Sequence, residues 1–271
     1  MSGFWSPVPV LIAGPCALEG TETDLVIAEA LAGIRDRLGI RVIYKGSFDK
    51  ANRARGAAPR GIGLERGLRS LAAVRGETGL PVLTDIHEPL QVGPVAAVVD
   101  AIQIPALLAR QTDLLVAAGQ SQKPINIKKG QSMAPEDMEG AVEKVRRAGS
   151  RDVVVTERGT FFGYGDLVVD MRNFPRLRKA TGAPVLFDAT HAVQRPGQGP
   201  GGSSAGFREY VPSLLYAAAG AGADGFFLET HPQPAAAPSD GATMWPLAEL
   251  EPIIERAVSI RMLAIERAVH A

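Results

Sequence analysis

The sequence predicts a (β/α)8 barrel of the TIM type, and three observations carry that prediction. Eight short, almost purely apolar runs alternate with longer segments whose apolar residues recur at helical spacing. The runs lack the apolar–polar alternation of a half-exposed sheet, as parallel strands covered on both faces do. Polar side chains suited to chemistry fall just after the runs, where a barrel gathers its loops at one end. Eight such units fit 271 residues, so one domain spanning 1–271 is expected.

In chain order, the first run covers 9–13 and is stopped by Gly14-Pro15, which leaves Cys16 just beyond the strand. A helical pattern follows over 23–38, then a strand over 41–44 and a helix over 64–78. Strands at 81–84 and 101–104 come next, with Pro89 suited to a first helical turn and a helix at 112–120. The strand at 124–127 leads to a helix over 135–148, opened by Pro135. Strands at 152–156 and 184–187, a helix over 207–219 and a strand at 225–228 complete the set. A doubly wound open sheet is the alternative, but no break signals a reversal of strand order. The segment from Gly61 to Gly67 has its last glycine one place too late for a dinucleotide loop, and it follows no strand.

Composition excludes several function classes. Lys+Arg and Asp+Glu each total 29, so bulk charge does not suit the chain to nucleic acid. No apolar run approaches the roughly 18 residues of a membrane span. The N-terminus lacks a basic stretch followed by a long apolar one, and a lone cysteine forms no intrachain disulfide. A cytoplasmic protein is therefore expected.

Two constellations fall at the strand ends. Cys16, His191, Glu229 and Asp240 offer a thiolate, an imidazole and two carboxylates, a set suited to a divalent transition metal rather than magnesium or calcium. The competing reading makes His191 a hydrogen-bonded loop residue and Glu229 or Asp240 a backbone cap. The second constellation is cationic: Lys45, Lys50, Arg53, Lys128 and Arg158. Clustered cations at strand ends call for an anionic ligand, and more than one anionic group is expected. The competing reading pairs them with Asp85 and Asp188. Lys129 is expected to be solvated, and Asn52, His87, Gln103 and Arg110 complete the polar set at the strand ends.

These segments carry a family resemblance. Ala13-Gly14-Pro15-Cys16, the run from Tyr44 to Arg53, Leu83-Thr84-Asp85-Ile86-His87 and Gln103-Ile104-Pro105-Ala106 begin the match. Arg110-Gln111-Thr112-Asp113, Asn126-Ile127-Lys128-Lys129-Gly130-Gln131 and Thr156-Glu157-Arg158-Gly159-Thr160 continue it. Phe187-Asp188-Ala189-Thr190-His191 and Glu229-Thr230-His231-Pro232 end it. Over nearly its whole length the chain resembles the 3-deoxy-D-manno-octulosonate 8-phosphate synthases of the metal-dependent class.

The resemblance implies a transferase that condenses phosphoenolpyruvate with arabinose 5-phosphate and releases phosphate, in lipopolysaccharide precursor synthesis. It implies that Lys45, Ser47, Lys50, Gln103, Lys128 and Arg158 hold phosphoenolpyruvate, with Lys128 and Arg158 on its phosphate. Asn52 and Arg53 would hold the sugar phosphate, and Arg110 would reach a neighbouring site in a homotetramer. Lys45, Lys50, Asn52, His87, Lys128, Arg158, His191 and Asp240 form the implied catalytic set. Cys16, His191, Glu229 and Asp240 match the ligands of a divalent metal (manganese, iron, cobalt, zinc or cadmium). Relatives with asparagine at the cysteine position work without one. The nearest competitor, 3-deoxy-D-arabino-heptulosonate 7-phosphate synthase, uses erythrose 4-phosphate and typically carries a Lys-Pro-Arg-Thr run where this chain has Lys50-Ala51-Asn52-Arg53. A noncatalytic phosphometabolite sensor is the other alternative. Ala54 stands where the family usually has a hydroxyl, with Arg55 after it, Leu107 stands for phenylalanine, and Arg195 replaces an apolar residue. The segment 196–206, rich in glycine and serine, is expected to act as a lid.

Overall fold

The computed structural model describes residues 3–6, 9–53, 55–199 and 204–269. Ala54 and residues 200–203 of the expected lid lie outside the described residues. The barrel strands are β1 (Val10–Gly14), β2 (Arg41–Lys45), β3 (Val82–Asp85), β4 (Ala101–Ile104), β5 (Ile125–Lys128), β6 (Val153–Glu157), β9 (Val185–Asp188) and β12 (Gly225–His231). Each pairs in parallel with the next, and β1 pairs with β12 from Val10↔Gly225 to Gly14↔Glu229, which closes the cylinder. Three short accessory pieces sit in the loops: the hairpin β7 (Thr160–Gly163) with β8 (Asp166–Val168), the hairpin β10 (Gln194–Arg195) with β11 (Ala205–Gly206), and β13 (Trp245–Pro246).

Helices α1 (Thr21–Leu38), α2 (Leu64–Thr78), α3 (Val92–Ala96), α4 (Thr112–Gln120), α5 (Met138–Ala148), α6 (Asn173–Thr181), α8 (Val211–Gly220) and α9 (Leu250–Val269) form the outer layer, with one turn, α7 (Ala189–Ala192), directly after β9. Pro89 and Pro135 each open a single 3₁₀ turn ahead of α3 and α5, where the missing N–H costs no intrahelical bond. Gly39 ends α1 in the left-handed conformation at φ 62°, its N–H donating to Arg35. No helix among the described residues is long and apolar enough to cross a membrane.

Alternate strand residues face opposite sides. Leu11, Ala13, Val42 and Tyr44 pack outward with Ile27, Leu31 and Leu71 of the helices. Val10, Ile12, Ile43, Leu83, Ala101, Val154, Leu186 and Phe227 fill the interior, and Trp5 plugs its N-terminal end. This two-sided burial is why the strands read as continuous apolar runs.

The strand boundaries differ from the sequence reading in a regular way. Runs led by Pro9, Pro81, Pro124 and Pro184 begin one residue later, because proline has no N–H for the ladder. Six strands also extend one residue past the apolar run, so Lys45, Asp85, Lys128, Glu157 and Asp188 are strand residues, not loop residues. Their rotation about the barrel axis is thus set by sheet register.

Candidate active site

Lys45, Asp85, Gln103, Lys128, Arg158, Asp188 and Glu229 surround the C-terminal mouth and line one cavity of about 820 Å³. All seven are buried even though they line an open bowl. The loops after β2 and β12 add Lys50, Asn52, Arg53, Arg55 and Asp240, the loop after β3 adds His87, and the turn α7 adds His191.

Cys16 is carried over the mouth by Gly14, whose φ of 154° brings its backbone against Lys45. A side chain there would lie 2.0 Å from the Lys45 carbonyl oxygen, so the approach needs glycine. The Cys16 thiol donates to Asp240 Oδ2 at 2.9 Å. Ligand atoms of Cys16, Glu229 and Asp240 lie within 4.8 Å of one another, and His191 Nε2 stands 3.7 Å from Glu229 and 3.9 Å from Asp240. Three of the four expected ligands therefore form one cluster, and the fourth faces two of them. Asp240 has a φ of 53°, a left-handed conformation that aspartate tolerates better than most residues. Burial pushes the Cys16 thiol up, and the Asp240 and Glu229 charges add to that effect.

The capping alternative belongs to a different residue. Asp188 accepts from the His191 N–H at 2.9 Å and caps α7, while its other oxygen meets His191 Nδ1 at 2.8 Å. The Nδ1 contact leaves Nε2 turned toward Glu229 and Asp240, the arrangement metal-binding histidines use. Glu229 Oε2 is buried with no hydrogen-bond partner, although Oε1 accepts from Lys45 at 3.2 Å. A buried lone carboxylate oxygen beside a thiol, an imidazole and a second carboxylate fits a divalent transition metal.

The cations divide into paired and unpaired groups. Lys128 meets Asp188 at 2.5 Å and lies 3.0 Å from the Phe227 ring centroid. Burial brings the Lys128 ammonium down to about 8, and Asp188 opposes that fall. Burial works against the Asp188 charge, yet His191 and Lys128 hold its carboxyl well below the usual range. Lys45 and Lys50 both donate to Ser47 Oγ at 2.9 Å. Burial works against the Lys50 charge, but Cys16, Glu229, Asp85 and Asp240 hold its pKa above the ordinary lysine value. Ion pairing with barrel carboxylates is thus present for Lys45 and Lys128. Arg158 differs: its Nη2 donates to Gln194 at 3.0 Å, and its buried Nη1 has no hydrogen-bond partner.

Other expected residues have distinct settings. His87 Nε2 is 3.2 Å from Asp85, and its backbone N–H donates to Gln91 at 2.7 Å. Gln103 accepts from Asn126 at 2.9 Å, and Asn126 accepts from Thr156 at 2.6 Å, a polar chain across the barrel interior. Arg53 donates to Pro59 O, Ser239 Oγ and Pro238 O, which ties the loop after β2 to the loop carrying Asp240. Asn52 and Arg55 are exposed on the cavity rim, Leu107 is exposed there too, and Arg110 is exposed on the surface beyond it. Arg195 pairs with Asp166 of β8 at 2.6 Å, not with the site.

Lys129 requires a correction: it is fully buried, not solvated. It donates to Gly130 O, Met133 O and Thr160 Oγ1, and lies 3.6 Å from Glu157. Its neighbour Lys128 points into the barrel, so alternation turns Lys129 outward beneath the loop that follows β5. Sequence reading also missed Gln194, whose amide touches both Asp240 and Arg158. Its signal is weak: a single polar residue three places after His191.

A family model described as DAHP synthetase I family matches residues 7–260. The chain is 53% identical over 262 residues to the 2-dehydro-3-deoxyphosphooctonate aldolase of Bradyrhizobium diazoefficiens, covering 96% of this chain and 93% of that protein. It is 52% identical over 265 residues to the protein of the same name from Rhodopseudomonas palustris, covering 97% and 92%. With the relative from Nitrobacter winogradskyi, also of that name, the identity is 52% over 254 residues, covering 94% and 88%. That name is a synonym of 3-deoxy-D-manno-octulosonate 8-phosphate synthase, the family whose motifs line the mouth of this barrel. The chain belongs to the DAHP synthetase I family and, within it, to the 2-dehydro-3-deoxyphosphooctonate aldolases.

Proposed function

We propose that this barrel condenses phosphoenolpyruvate with D-arabinose 5-phosphate and water, giving 3-deoxy-D-manno-octulosonate 8-phosphate and inorganic phosphate. One juxtaposition supports the reading most directly: a buried guanidinium with an unpartnered N–H opens on the same cavity as the Cys16–Glu229–Asp240 cluster. An anion and a cation then have adjacent seats.

In this reading Arg158 and Lys128 hold the phosphate of phosphoenolpyruvate. Lys45, Ser47, Lys50 and Gln103 hold the rest of that molecule. Asn52 and Arg53 engage the sugar phosphate at the rim. Holding both reactants aligned replaces a bimolecular encounter with an intramolecular one. C3 of phosphoenolpyruvate forms the new bond to the sugar aldehyde carbon, whose oxygen gains a proton. Water adds at C2, and the C2–O bond to the phosphate breaks. The lysines and Arg158 stabilise charge on the departing phosphate without reorganising. His87, set by Asp85, is placed to exchange a proton with the water.

Cys16, His191, Glu229 and Asp240 would hold a divalent transition metal. When bound, it supplies positive charge near the aldehyde and orients the sugar. The whole chain, 1–271, would act as one catalytic domain in the cytoplasm, supplying lipopolysaccharide synthesis. It would assemble as a homotetramer, with exposed Arg110 reaching a neighbouring site.

Phosphate release from phosphoenolpyruvate, measured with arabinose 5-phosphate and with erythrose 4-phosphate, tests the reading. Turnover is expected with the five-carbon sugar only, lost in chelator and restored by manganese, cobalt, zinc or cadmium. Turnover with erythrose 4-phosphate alone would reassign the sugar. Full activity in metal-stripped protein would remove the metal from the scheme. Tight phosphoenolpyruvate binding with no turnover on either sugar would make the chain a sensor.

A further inference from the structure

The Gln194 side chain stands between the two seats. Its Nε2 donates to Asp240 Oδ1 at 2.9 Å, and its Oε1 accepts from Arg158 Nη2 at 3.0 Å. The orientation of the amide is dictated by its partners. A guanidinium only donates and a carboxylate only accepts, so the reversed amide would make neither bond. Asp240 is therefore held at both oxygens, Oδ1 by the amide and Oδ2 by the Cys16 thiol. Arg158 is held at Nη2, with Nη1 left buried and unpartnered.

The amide is itself rigidly placed. Gln194 is 6% exposed and lies in β10, paired with Gly206 of β11. A side chain at Gly206 would meet Thr243 at 2.1 Å and the Val193 carbonyl oxygen at 2.7 Å. Only glycine lets that hairpin lie so close to the segment after Asp240.

The neutral spacer has a physical consequence. Without it, a buried guanidinium and a half-buried carboxylate in one cavity would gain by pairing directly, and each would lose its outward face. With it, the two charges stay apart and unpaired with each other, yet any shift of one pulls on the other through two hydrogen bonds. We propose that Gln194 is a positioning residue that couples the cation cluster to the anion-binding guanidinium, so that occupancy of each seat tightens the other. The proposal rests on the reading of those two seats given above.

Coupling between two sites is reciprocal and is measured as a ratio of affinities. Cadmium is the cation probe, because its bond to the Cys16 thiolate gives a near-ultraviolet charge-transfer band that reports binding without turnover. Phosphoenolpyruvate is the anion probe, titrated by calorimetry with and without cadmium in the full-length protein. In the wild type, cadmium is expected to tighten phosphoenolpyruvate binding about fivefold or more, the lower end of ordinary coupling. In Gln194→Met the ratio falls to within about twofold of one. Gln194→Asn keeps a polar amide but is one methylene short of bridging both partners, so it behaves like Gln194→Met. Thermal unfolding checks that both variants are folded.

A variant that keeps the wild-type ratio would overturn the coupling and leave the function standing. A ratio of one in the wild type would overturn it equally. Absence of the cadmium–thiolate band in the wild type would instead strike the underlying reading of the cluster, and the coupling with it.

Discussion

The same eight strands build two opposite interiors. Toward their N-terminal ends they enclose Val10, Ile12, Ile43, Leu83, Ala101, Val154, Leu186 and Phe227, sealed by Trp5. Toward their C-terminal ends they turn Lys45, Asp85, Gln103, Lys128, Asp188 and Glu229 into the same cylinder, and all six are buried. The lower layers contribute free energy in proportion to apolar area removed from water. In the upper layer each charge has lost solvent, and pairs such as Lys45–Glu229 offset that loss only in part. Phe227 lies at the boundary, its ring under the Lys128 ammonium. One end of the barrel stabilises the fold, and the other draws on that stability to keep charges ready for ligands.

The comparison is broken most severely at Arg158. Arg158→Met removes the guanidinium but keeps comparable apolar bulk. The activity, read as kcat/KM for phosphoenolpyruvate, is expected to fall about 10³-fold, or about 4 kcal/mol of transition-state stabilisation. The melting temperature is expected not to fall, because a buried N–H without a partner is removed at the same time. A variant that melts well below the wild type would show the upper layer to be structural after all.

The converse substitution is Trp5→Ala at the opposite end. Trp5 is 3% exposed, and its indole N–H donates to the Asp152 carbonyl oxygen at 3.2 Å. Removing it should cost about 3 kcal/mol in denaturant unfolding, as large aromatic truncations in cores do. The kcat/KM of the folded variant should stay within about twofold of the wild type. A loss of activity without a loss of stability would contradict the division of labour.

A gentler probe is pH, through Lys128. Its pKa lies at about 8, below the ordinary lysine value, because burial disfavours the ammonium more than Asp188 favours it. In the proposed scheme the charged form holds the phosphate, so the expected sign is weaker phosphoenolpyruvate binding above pH 8. The loss should approach tenfold per pH unit, about 1.4 kcal/mol, until the pKa of the liganded form is reached. Calorimetric titrations from pH 7 to 9.5 check this. The effect on folding runs the other way: the unfavourable burial of the charged lysine is fully present below pH 8 and is relieved between 8 and the unfolded value near 10.5.

These two ends were not equally legible in the sequence. The lower layers announce themselves, because two-sided burial leaves uninterrupted apolar runs at 9–13, 42–44 and 184–187. The strand-end charges were visible as positions, and their convergence followed once a closed barrel was inferred. What sequence cannot carry is the choice of partner. Nothing local says that Asp188 caps α7 and meets both Lys128 and His191, or that Lys129 is buried beside Glu157 while Lys128 faces the cavity. Gln194 escaped for the same reason: its partners are 46 and 36 residues away. Trp5 was also missed, since an aromatic residue near a terminus has no periodic neighbours to mark it as a plug.

The smallest expected effect sharpens the comparison at the outermost rim, where charge is neither buried nor paired within the barrel. Arg53 has donors directed at Pro59, Ser239 and Pro238, so part of its guanidinium is already engaged by the loop that carries Asp240. The family's usual hydroxyl is missing at Ala54, which leaves exposed Arg55 as the adjacent cation on the cavity rim. Arg55 is therefore expected to supply the contact that the hydroxyl supplies elsewhere. An exposed cation on a phosphate is screened by solvent and salt, so its contribution is of the order of 1 kcal/mol or less. In Arg55→Ala the KM for arabinose 5-phosphate should rise about threefold to fivefold, while kcat and the KM for phosphoenolpyruvate stay near the wild-type values. Raising the ionic strength should shrink the difference between variant and wild type, since screening weakens the contact that the variant lacks. An unchanged KM for the sugar phosphate at low salt would remove Arg55 from the proposed sugar site, with only Asn52 and Arg53 left as its proposed contacts.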